Sequence, residues 1–419
     1  MAEKEAYSQA ASTGKYDKAS GLLGKYDNVR RFWEDQVTGI FLRPALNELV
    51  TQKKAHLERI RVLDLGCGSG DGYDLLMGVT AKDPGIYEYI TAVITPDMLE
   101  EYAGIEINDE LIKQAEADYG HYPKVRFIQD DLSSGLPEFV KKQDPFDIYL
   151  TSYGTMSHFQ DEQNVKIISD ICRHAPEKAL FVGDWLGRYS YEWQDLWHYP
   201  PDQECFMDYR ISYVYPEEMR DLAEVAVFPL RIITRDDVMR IMDEAARESG
   251  AEIKPLAFFD RSILIGRHMD TGDYNKNCPK LRTQVNSLFE GYVRTDMESL
   301  LVDYVPFTGF DHLNNFFEMF FMSCNTLIQY TISLLSEYDS ETETLRTVPD
   351  VLPYYPEPLK EAMQSMRRFI EGAAWLKWGD VRANVIEPHL GYSLRKLEMD
   401  MQPGTGMGHS LVGIFEIRK

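Results

Sequence analysis

A glycine-rich turn, VLDLGCGSGDG over 62–72, carries the residue types and spacing most able to do chemistry. The apolar residues before it are typical of a buried strand, and Asp64 stands at the end of that strand. Gly66, Gly68 and Gly70 let the main chain turn, and they let a ligand approach where larger side chains would block the way. The helix that follows offers free N–H groups and a positive dipole end. The turn therefore predicts a ligand-binding crevice at the end of this strand.

Two further apolar runs end in acidic residues. YAGIEIN places Glu106 near its end, where a carboxylate can accept two hydrogen bonds from a ribose diol. FIQDDL contains Asp130 and Asp131, either of which can accept from the exocyclic amine of adenine, with Ile107 and Leu132 against the ring. Each acid has a plainer alternative, because Glu106 also suits a helix start and the two aspartates suit a helix cap.

Short apolar runs alternate with amphipathic stretches along this part of the chain. Five of the runs are interpreted as strands, over 60–66, 102–108, 125–131, 146–152 and 179–185. This alternation indicates a parallel sheet covered by helices on both faces, with ligands bound at the carboxyl edge of its strands. Two closing strands are expected over 251–260 and 262–268. The predicted fold class is therefore α/β, with a Rossmann-like, mostly parallel seven-stranded sheet and a mainly helical C-terminal region.

The length of the chain favours more than one structural unit. Residues 1–57 are expected to form an N-terminal helical segment or lid. The sheet domain covers 58–270 and contains an aromatic-rich insertion over 187–233, which is too long for an ordinary loop and is expected to carry function. Residues 271–419 form the mainly helical region, as a cap over the substrate or an oligomerisation surface. Their last residues, HSLVGIFEIRK, alternate like a strand.

The glycine turn, the acid of the second strand and the aspartates of the third occur in an order that resembles the class I S-adenosylmethionine-dependent methyltransferases, over about residues 58–268. The resemblance implies a Rossmann-like fold, methyl transfer and S-adenosylmethionine as the cofactor. It also implies that Asp64 and the turn hold the methionine part, Glu106 the ribose, and Asp131 or Asp130 the adenine. The cofactor site so predicted comprises Asp64, Gly66, Cys67, Gly68, Gly70, Glu106, Ile107, Asp130, Asp131, Leu132 and Ser152.

Two features of the sequence depart from the patterns of similar enzymes. Gly66 and Glu106 lie 40 residues apart, whereas about 20 are expected in such a unit. The stretch GVTAKDPGIYEYITAVITPDMLEEY is therefore interpreted as an insertion before the second strand. The segment TSYGT, after the fourth strand, lacks the NPPY-type tetrapeptide that similar enzymes use on adenine or glutamine amides, which argues against nucleic-acid modification.

A sulfonium methyl donor is already activated, so the protein mainly has to hold an acceptor atom about 3 Å from the methyl group, and a general base is optional. Catalytic candidates are His158, Tyr153 and Asp184, which follow the fourth strand or end the fifth. His158 suits a base near neutral pH, with a loop hydrogen bond as its alternative role. Asp184 suits either substrate positioning or a cap. Substrate-binding candidates are Tyr26, Arg30, Trp33 and Trp185, with burial in the core as the alternative.

The charge balance restricts the partners. The chain carries 68 acidic and 44 basic residues, for a formal net charge of −24. Nucleic acids and anionic membranes are bound through Lys and Arg, so neither is expected. The apolar stretch 316–335 contains Glu318, Asn325 and Gln329 and is interpreted as a buried helix instead of a membrane span. Five scattered cysteines and dispersed histidines predict no disulfide framework and no metal site. Without an apolar N-terminal signal, a cytoplasmic location is expected.

The sequence therefore favours methyl transfer to an oxygen or nitrogen atom of a small-molecule acceptor. A protein methyltransferase is the first alternative, with the C-terminal region as its docking surface. A cofactor-binding regulatory protein without transfer is the second, and an enzyme that uses the same cofactor for a non-methyl reaction is also left open. A homodimer is compatible with the sequence but not required by it.

Overall fold

The structure is a computed structural model that describes residues 2–18, 26–82, 91–200, 203–211, 226–266, 274–339, 341–342, 344–373, 376 and 379–419. The strands are β1 (Ile60–Leu65), β2 (Leu99–Glu106), β3 (Val125–Gln129), β4 (Ile148–Leu150), β5 (Lys178–Gly187), β6 (Cys205–Arg210), β7 (Val227–Ile233), β8 (Glu252–Arg261), β9 (Tyr338–Asp339), β10 (Thr344–Leu345) and β11 (Ser410–Arg418). The helices are α1 (Ala2–Ser12), α2 (Asp35–Ala55), α3 (Asp71–Met77), α4 (Asp109–Tyr119), α5 (Glu138–Lys141), α6 (Asp161–His174), α7 (Arg235–Ser249), α8 (Arg282–Leu288), α9 (Asp311–Glu337), α10 (Glu357–Ala373) and α11 (Glu387–Met401). Short 3₁₀ turns cover Thr155–His158, Tyr191–Leu196 and Met297–Leu300, and π-helical turns cover Arg30–Glu34 and Arg382–Ile386.

A single sheet in the order β3-β2-β1-β4-β5-β11-β8 positions the rest of the molecule. Neighbouring strands from β3 to β5 are parallel, whereas β11 is antiparallel to both β5 and β8. The hairpin of β6 and β7 extends the sheet, because Leu186 and Gly187 of β5 pair in parallel with Ile232 and Ile233 of β7. The predicted α/β class with a mostly parallel seven-stranded sheet is confirmed along this path, and the hairpin within the predicted insertion adds two strands.

Side-chain alternation along β1 shows why both faces of the sheet are covered. Ile60 and Val62 belong to one buried cluster, whereas Leu63 and Leu65 belong to another. Successive side chains of a strand point to opposite faces, so each face needs its own layer of helices. Side chains of α2, α4 and α8 to α11 pack on the first face, and those of α6 and α7 pack on the second. The predicted helical C-terminal region is therefore present and supplies much of one layer.

The prediction of a second closing strand over 262–268 is wrong. Residues 263–265 form a turn, Ser262 and Gly266 flank it outside any strand, and the last two residues lie outside the described residues. Ser262 has a φ of +60°, which leaves the extended region. Ser262 and the next two residues also donate their backbone N–H groups to the Glu398 carboxylate of α11, at 2.9 to 3.1 Å. These donors are then not available to a neighbouring strand.

The seventh strand is instead the C-terminal tail, HSLVGIFEIRK, whose alternation indicates a strand. β11 lies between β5 and β8 along its full length, and Gly413 stands opposite Gly183 on one side and Phe258 on the other. Helices α8 to α11 therefore stand, along the chain, between two neighbouring strands of one sheet. The predicted boundary at residue 270 thus falls between β8 and β11, and the division into independently folding domains stays a prediction.

The apolar stretch 316–335 lies inside α9, which buries part of it in protein and leaves Met319 and Met322 each 45% exposed. Phe317, Phe320, Cys324 and Leu327 have no exposed surface, and they pack in the same cluster as residues of α10 and α11. Across the ranges that the structure describes, no helix has both the length and the apolar character that a membrane crossing requires.

Candidate active site

A cavity of about 420 Å³ lies at the carboxyl edge of the sheet. Residues that follow β1, β2, β3 and β4 line it, together with His409, which directly precedes β11. His409 reaches this edge because β11 runs antiparallel to β5 and therefore begins where β5 ends. The predicted site residues on the wall are Gly66, Cys67, Gly68, Glu106, Ile107, Asp130, Asp131, Leu132, Ser152, Tyr153 and His158. The volume lies within the range of small-molecule and cofactor sites.

The turn after β1 brings bare main chain to the cavity. Gly66 and Gly68 have φ values of +66° and +54°, in the left-handed region that favours glycine. A Cβ atom at Gly66 would lie 2.4 Å from the Thr155 methyl carbon of the turn after β4. Glycine is therefore required at position 66, both by the positive φ of the backbone and by the closeness of Thr155.

Glu106 joins this turn to the end of β2. Its Oε2 accepts the N–H of Gly68, and its Oε1 accepts the N–H of Asn108, both at 3.0 Å. Asn108 is in turn fixed, because its side chain accepts two backbone N–H groups at the start of α4. A carboxylate has about four acceptor positions, so a group held in this way can still bind the hydroxyls of a ligand.

Asp130, Asp131 and Leu132 follow β3 at the next position along the edge. The N–H of Asp130 donates to the Glu106 carbonyl at 3.1 Å, and the Asp131 carboxylate accepts the backbone N–H two residues further on, at 2.8 Å. Leu132 is buried, whereas Ile107 is 47% exposed. Two carboxylates and two apolar side chains thus line one part of the cavity, where a flat polar ring could be held between them.

Asp64 and Gly70, both assigned to the cofactor from the sequence, lie behind the turn. Tyr102 donates its hydroxyl to the Asp64 carboxylate, and burial, followed by the charge of Asp64, raises the pKa of Tyr102 well above its ordinary value. Gly70 precedes α3 with a φ of +87°, and a Cβ there would lie 2.8 Å from the Tyr119 ring. Both residues shape the turn from behind, and their part in cofactor binding stays a prediction.

Tyr153 lines the cavity in an unusual backbone conformation, with a φ of +57°. Its N–H donates to Asp184 Oδ2 at 2.8 Å, and its hydroxyl donates to Asp35 Oδ1 at 2.6 Å. Asp184 is buried and pairs with Arg261, also buried, at 2.8 Å. A non-glycine residue in the left-handed region is strained, and such strain is retained where the surroundings enforce it. Asp184 therefore lies behind the wall and positions Tyr153.

The candidates Tyr26, Arg30 and Trp33 lie in the core behind Tyr153, and none of them is on the cavity wall. The Arg30 guanidinium stands 3.7 Å from the centre of the Tyr153 ring and 5.0 Å from that of Tyr26. Trp33 donates its indole N–H to Glu398 at 2.9 Å. An aromatic helix face close to the sheet is covered by neighbouring elements, so these side chains support the wall and do not form it.

Trp185 is also in the core, on the other face of the sheet. It is fully buried, its ring packs over Gly183, and it belongs to the cluster of α6 and α7. Because strand side chains alternate, Trp185 points away from the face that Asp184 occupies. Its predicted contact with substrate is therefore not made in this cavity.

His158 lies on the cavity wall at the end of the 3₁₀ turn that follows β4. Its ring centre is 6.1 Å from those of Tyr7 in α1 and Phe228 in β7. Helix α1 is held at the cavity by a hydrogen bond to the start of α4, in which Asn108 donates its side-chain N–H to the Lys4 carbonyl at 2.9 Å. The N-terminal helix therefore forms one wall of the site.

Sequence reasoning missed wall residues that come from distant segments: Tyr7 of α1, Tyr209 and Leu230 of the β6–β7 hairpin, and His409. The alternation in CFMDYR and VFPLRII was a signal for the hairpin, and a histidine before the alternating tail was a signal for His409. Neither signal says which edge of the sheet its element joins. Within the described ranges, no three His, Cys, Asp or Glu side chains gather as a metal ion would require.

Comparisons with known proteins give matches to solved structures at low sequence identity. No protein-family model and no curated protein matches the sequence. Among solved structures, an S-adenosylmethionine-dependent methyltransferase from Clostridium acetobutylicum is similar at 13% identity, with 61% of this chain and 89% of that one covered and a TM-score of 0.33. A methyltransferase of the same kind from Methanosarcina mazei has 17% identity, 49% and 85% coverage and a TM-score of 0.34. The sugar N-methyltransferase KedS8 from Streptoalloteichus has 12% identity, 54% and 83% coverage and a TM-score of 0.33.

Proposed function

We propose that the cavity binds S-adenosylmethionine and that the chain transfers the methyl group to an oxygen or nitrogen atom of a small molecule. The observation that carries this proposal is the bond between Gly68 and Glu106, which joins a bare glycine turn to a strand-tip carboxylate in one cavity wall. A ribose diol is bound by such a carboxylate, and glycine admits the rest of the ligand to the main chain. The motif VLDLGCGSG supports the same ligand.

The charge of the wall favours a cationic ligand over a phosphate-bearing one. Glu106, Asp130 and Asp131 contribute carboxylates. Lys4 is the one lysine or arginine on the wall within the described ranges, and it pairs with Asp109 at 3.2 Å. A sulfonium gains from such a negative potential, whereas the pyrophosphate of a dinucleotide would be repelled by it.

The opposite part of the wall supports a small, largely apolar acceptor. Tyr7, Tyr209, Leu186 and Leu230 line it, and α1 covers it. A concave site that joins apolar side chains to a few polar groups is typical of small-molecule recognition. When bound, S-adenosylmethionine supplies an activated methyl group. The chain then has to hold the acceptor in line with it and exclude water.

Calorimetry with S-adenosylmethionine and S-adenosylhomocysteine tests the shared premise. Both compounds are expected to bind the full chain, and Glu106→Gln is expected to weaken binding by about tenfold to 100-fold, since a hydrogen bond to a charged group is lost. Glu110→Gln is the matched control, because it removes the same charge from a solvent-exposed pair with Lys113 on α4. If neither compound binds, the proposal is overturned.

Release of S-adenosylhomocysteine then distinguishes the acceptors. We expect release with a pool of small metabolites and not with a protein extract freed of them. Release with protein alone would replace the proposal by a protein methyltransferase. Binding of the cofactor without release in either pool would replace it by a binding protein without transfer.

A further inference from the structure

His409 is fixed by the main chain on both sides. Its N–H donates to the Ser262 carbonyl at 3.1 Å, and its carbonyl accepts the N–H of Gly187 at 3.0 Å. The residue is 2% exposed, yet it lies on the cavity wall. The imidazole is therefore held at the point where β5, β8 and β11 meet, with little freedom to leave the site.

Glu192 orients this imidazole. Its Oε2 lies 2.5 Å from His409 Nδ1, and both side chains are 3% exposed. A carboxylate only accepts, so Nδ1 carries the hydrogen, and a neutral ring then leaves Nε2 without one. Trp193 packs edge-on against the ring, with centres 5.4 Å apart. In the part of the chain that the structure describes, no group is hydrogen-bonded to Nε2.

Another buried histidine shows what a structural role looks like. His174 uses both ring nitrogens inside the protein: Nδ1 bonds the Tyr149 hydroxyl at 2.7 Å, and Nε2 bonds the Gln143 carbonyl at 3.2 Å. It lies away from the cavity, in the cluster packed by α6. His409 differs in having a carboxylate on one nitrogen and a cavity beside its ring.

Burying His409 and Glu192 beside apolar side chains costs folding free energy, which favours a role for the pair in binding or catalysis. Leu186, Leu230 and Tyr209 line the same cavity and offer mostly apolar surface. Burying an acid and an imidazole costs desolvation energy, and apolar side chains of similar size would pack there at least as well. A buried polar group beside apolar wall residues can fix the orientation of a ligand.

We propose that His409, oriented by Glu192, is the general base that takes the proton from a hydroxyl group of an apolar methyl acceptor, an inference that rests on the proposed function. The acceptor O–H bond breaks, its proton goes to Nε2, and its electron pair forms the bond to the methyl carbon, whose former bonding pair stays on sulfur. The imidazolium formed is balanced by the Glu192 carboxylate. An amine acceptor has a free electron pair once neutral, whereas a hydroxyl gains most from a base, so the pair favours oxygen as the atom methylated.

Nuclear magnetic resonance of the imidazole nitrogens tests this on the full chain without knowing the acceptor. Histidines are labelled with nitrogen-15, the His409 signals are identified by their loss in His409→Gln, and S-adenosylhomocysteine is the added probe. In the neutral ring we expect a proton on Nδ1 and none on Nε2, and we expect the His409 signals to shift on binding. The His174 signals, identified through His174→Gln, are expected to stay in place. In Glu192→Gln the fixed tautomer should be lost.

Two results would overturn the inference: a proton on Nε2 in the neutral ring, or His409 signals that stay in place when calorimetry shows the site saturated with S-adenosylhomocysteine. Failure of the proposed function looks different, because S-adenosylhomocysteine then does not bind at all. With a metabolite pool that supports turnover, His409→Gln should lower kcat by about 100-fold or more and leave the affinity for S-adenosylhomocysteine unchanged. Equal turnover by the variant would also contradict the inference.

Discussion

The backbone N–H of Tyr153 donates to Asp184 Oδ2 at 2.8 Å, and this bond ties the turn after β4 to the end of β5. The same carboxylate oxygen accepts from Arg261 at 2.8 Å. A strained residue of the cavity wall is thus held by an ion pair buried behind it. Asp184 influences the site through Tyr153 and does not itself reach the cavity.

Replacing Asp184 by asparagine is expected to lower the free energy of unfolding by about 3 kcal/mol, because the buried Arg261 guanidinium loses its counter-charge. Urea denaturation measures the change. The matched control is Glu110→Gln, which removes a charge from an exposed pair and should change stability by less than about 0.5 kcal/mol. Equal effects of the two substitutions would show that the buried pair does not stabilise the fold.

Gly66→Ala and Gly250→Ala separate backbone strain from close contact. Both glycines have a positive φ, +66° and +76°, but a Cβ at Gly250 meets nothing within 4 Å, whereas one at Gly66 lies 2.4 Å from the Thr155 methyl carbon. Gly250→Ala should cost about 1 kcal/mol of stability from the backbone alone. Gly66→Ala should cost more and also weaken S-adenosylhomocysteine binding by about tenfold or more. Calorimetry that finds full affinity in Gly66→Ala would place the ligand elsewhere.

Asp161 is expected to make stability depend on pH in the acid range. Burial by itself would raise the pKa of Asp161, but hydrogen bonds and charge from Arg231 and Arg240 outweigh it and hold the pKa below its ordinary value. The folded pKa lies below the unfolded one, so the stabilisation is present above about pH 4 and is lost as the pH falls through the folded value. Wild type and Asp161→Asn should therefore converge in stability as the pH drops from about 6 to 3. A constant difference between their urea midpoints over that range would contradict this.

Ile414→Ala tests whether the C-terminal tail is part of the central sheet. Ile414 of β11 is fully buried, and removing three of its carbons should lower the free energy of unfolding by about 2–5 kcal/mol. Val293→Ala is the control, since Val293 is 41% exposed and its truncation should matter by less than about 0.5 kcal/mol. If denaturation shows a small loss for Ile414→Ala, the tail does not contribute to the sheet as the structure indicates.

The glycine turn and the acids after β2 and β3 could be found from the sequence, because each is a local pattern in which a strand ends and a loop begins. Parallel strands share one carboxyl edge, so Gly68, Glu106 and Asp130 had to meet there once the strands were recognised. The direction in which a side chain points near a strand end was harder to predict. Asp184 and Trp185 adjoin in sequence, yet alternation sends them to opposite faces of the sheet.

The residues that complete the wall depend on contacts between distant parts of the chain. Tyr7, Leu230 and His409 reach one cavity from α1, β7 and the start of β11. The prediction of a closing strand at 262–268 was wrong for the same reason. Glu398 lies far along the chain and accepts backbone N–H groups that a strand would use for pairing. No pattern within 262–268 reports that contact.

The sequence by itself determined the fold class, the crevice at the end of β1 and the carboxylates at its rim, because hydrophobic period, glycine spacing and strand ends are local properties. Only the tertiary structure decided that the last strand enters the sheet between β5 and β8, that Tyr26, Arg30 and Trp33 stand behind the wall, and that His409 meets Glu192 beside the cavity. These outcomes rest on pairings between residues up to hundreds of positions apart, and the free energy of such pairings is set by the packing of the whole fold.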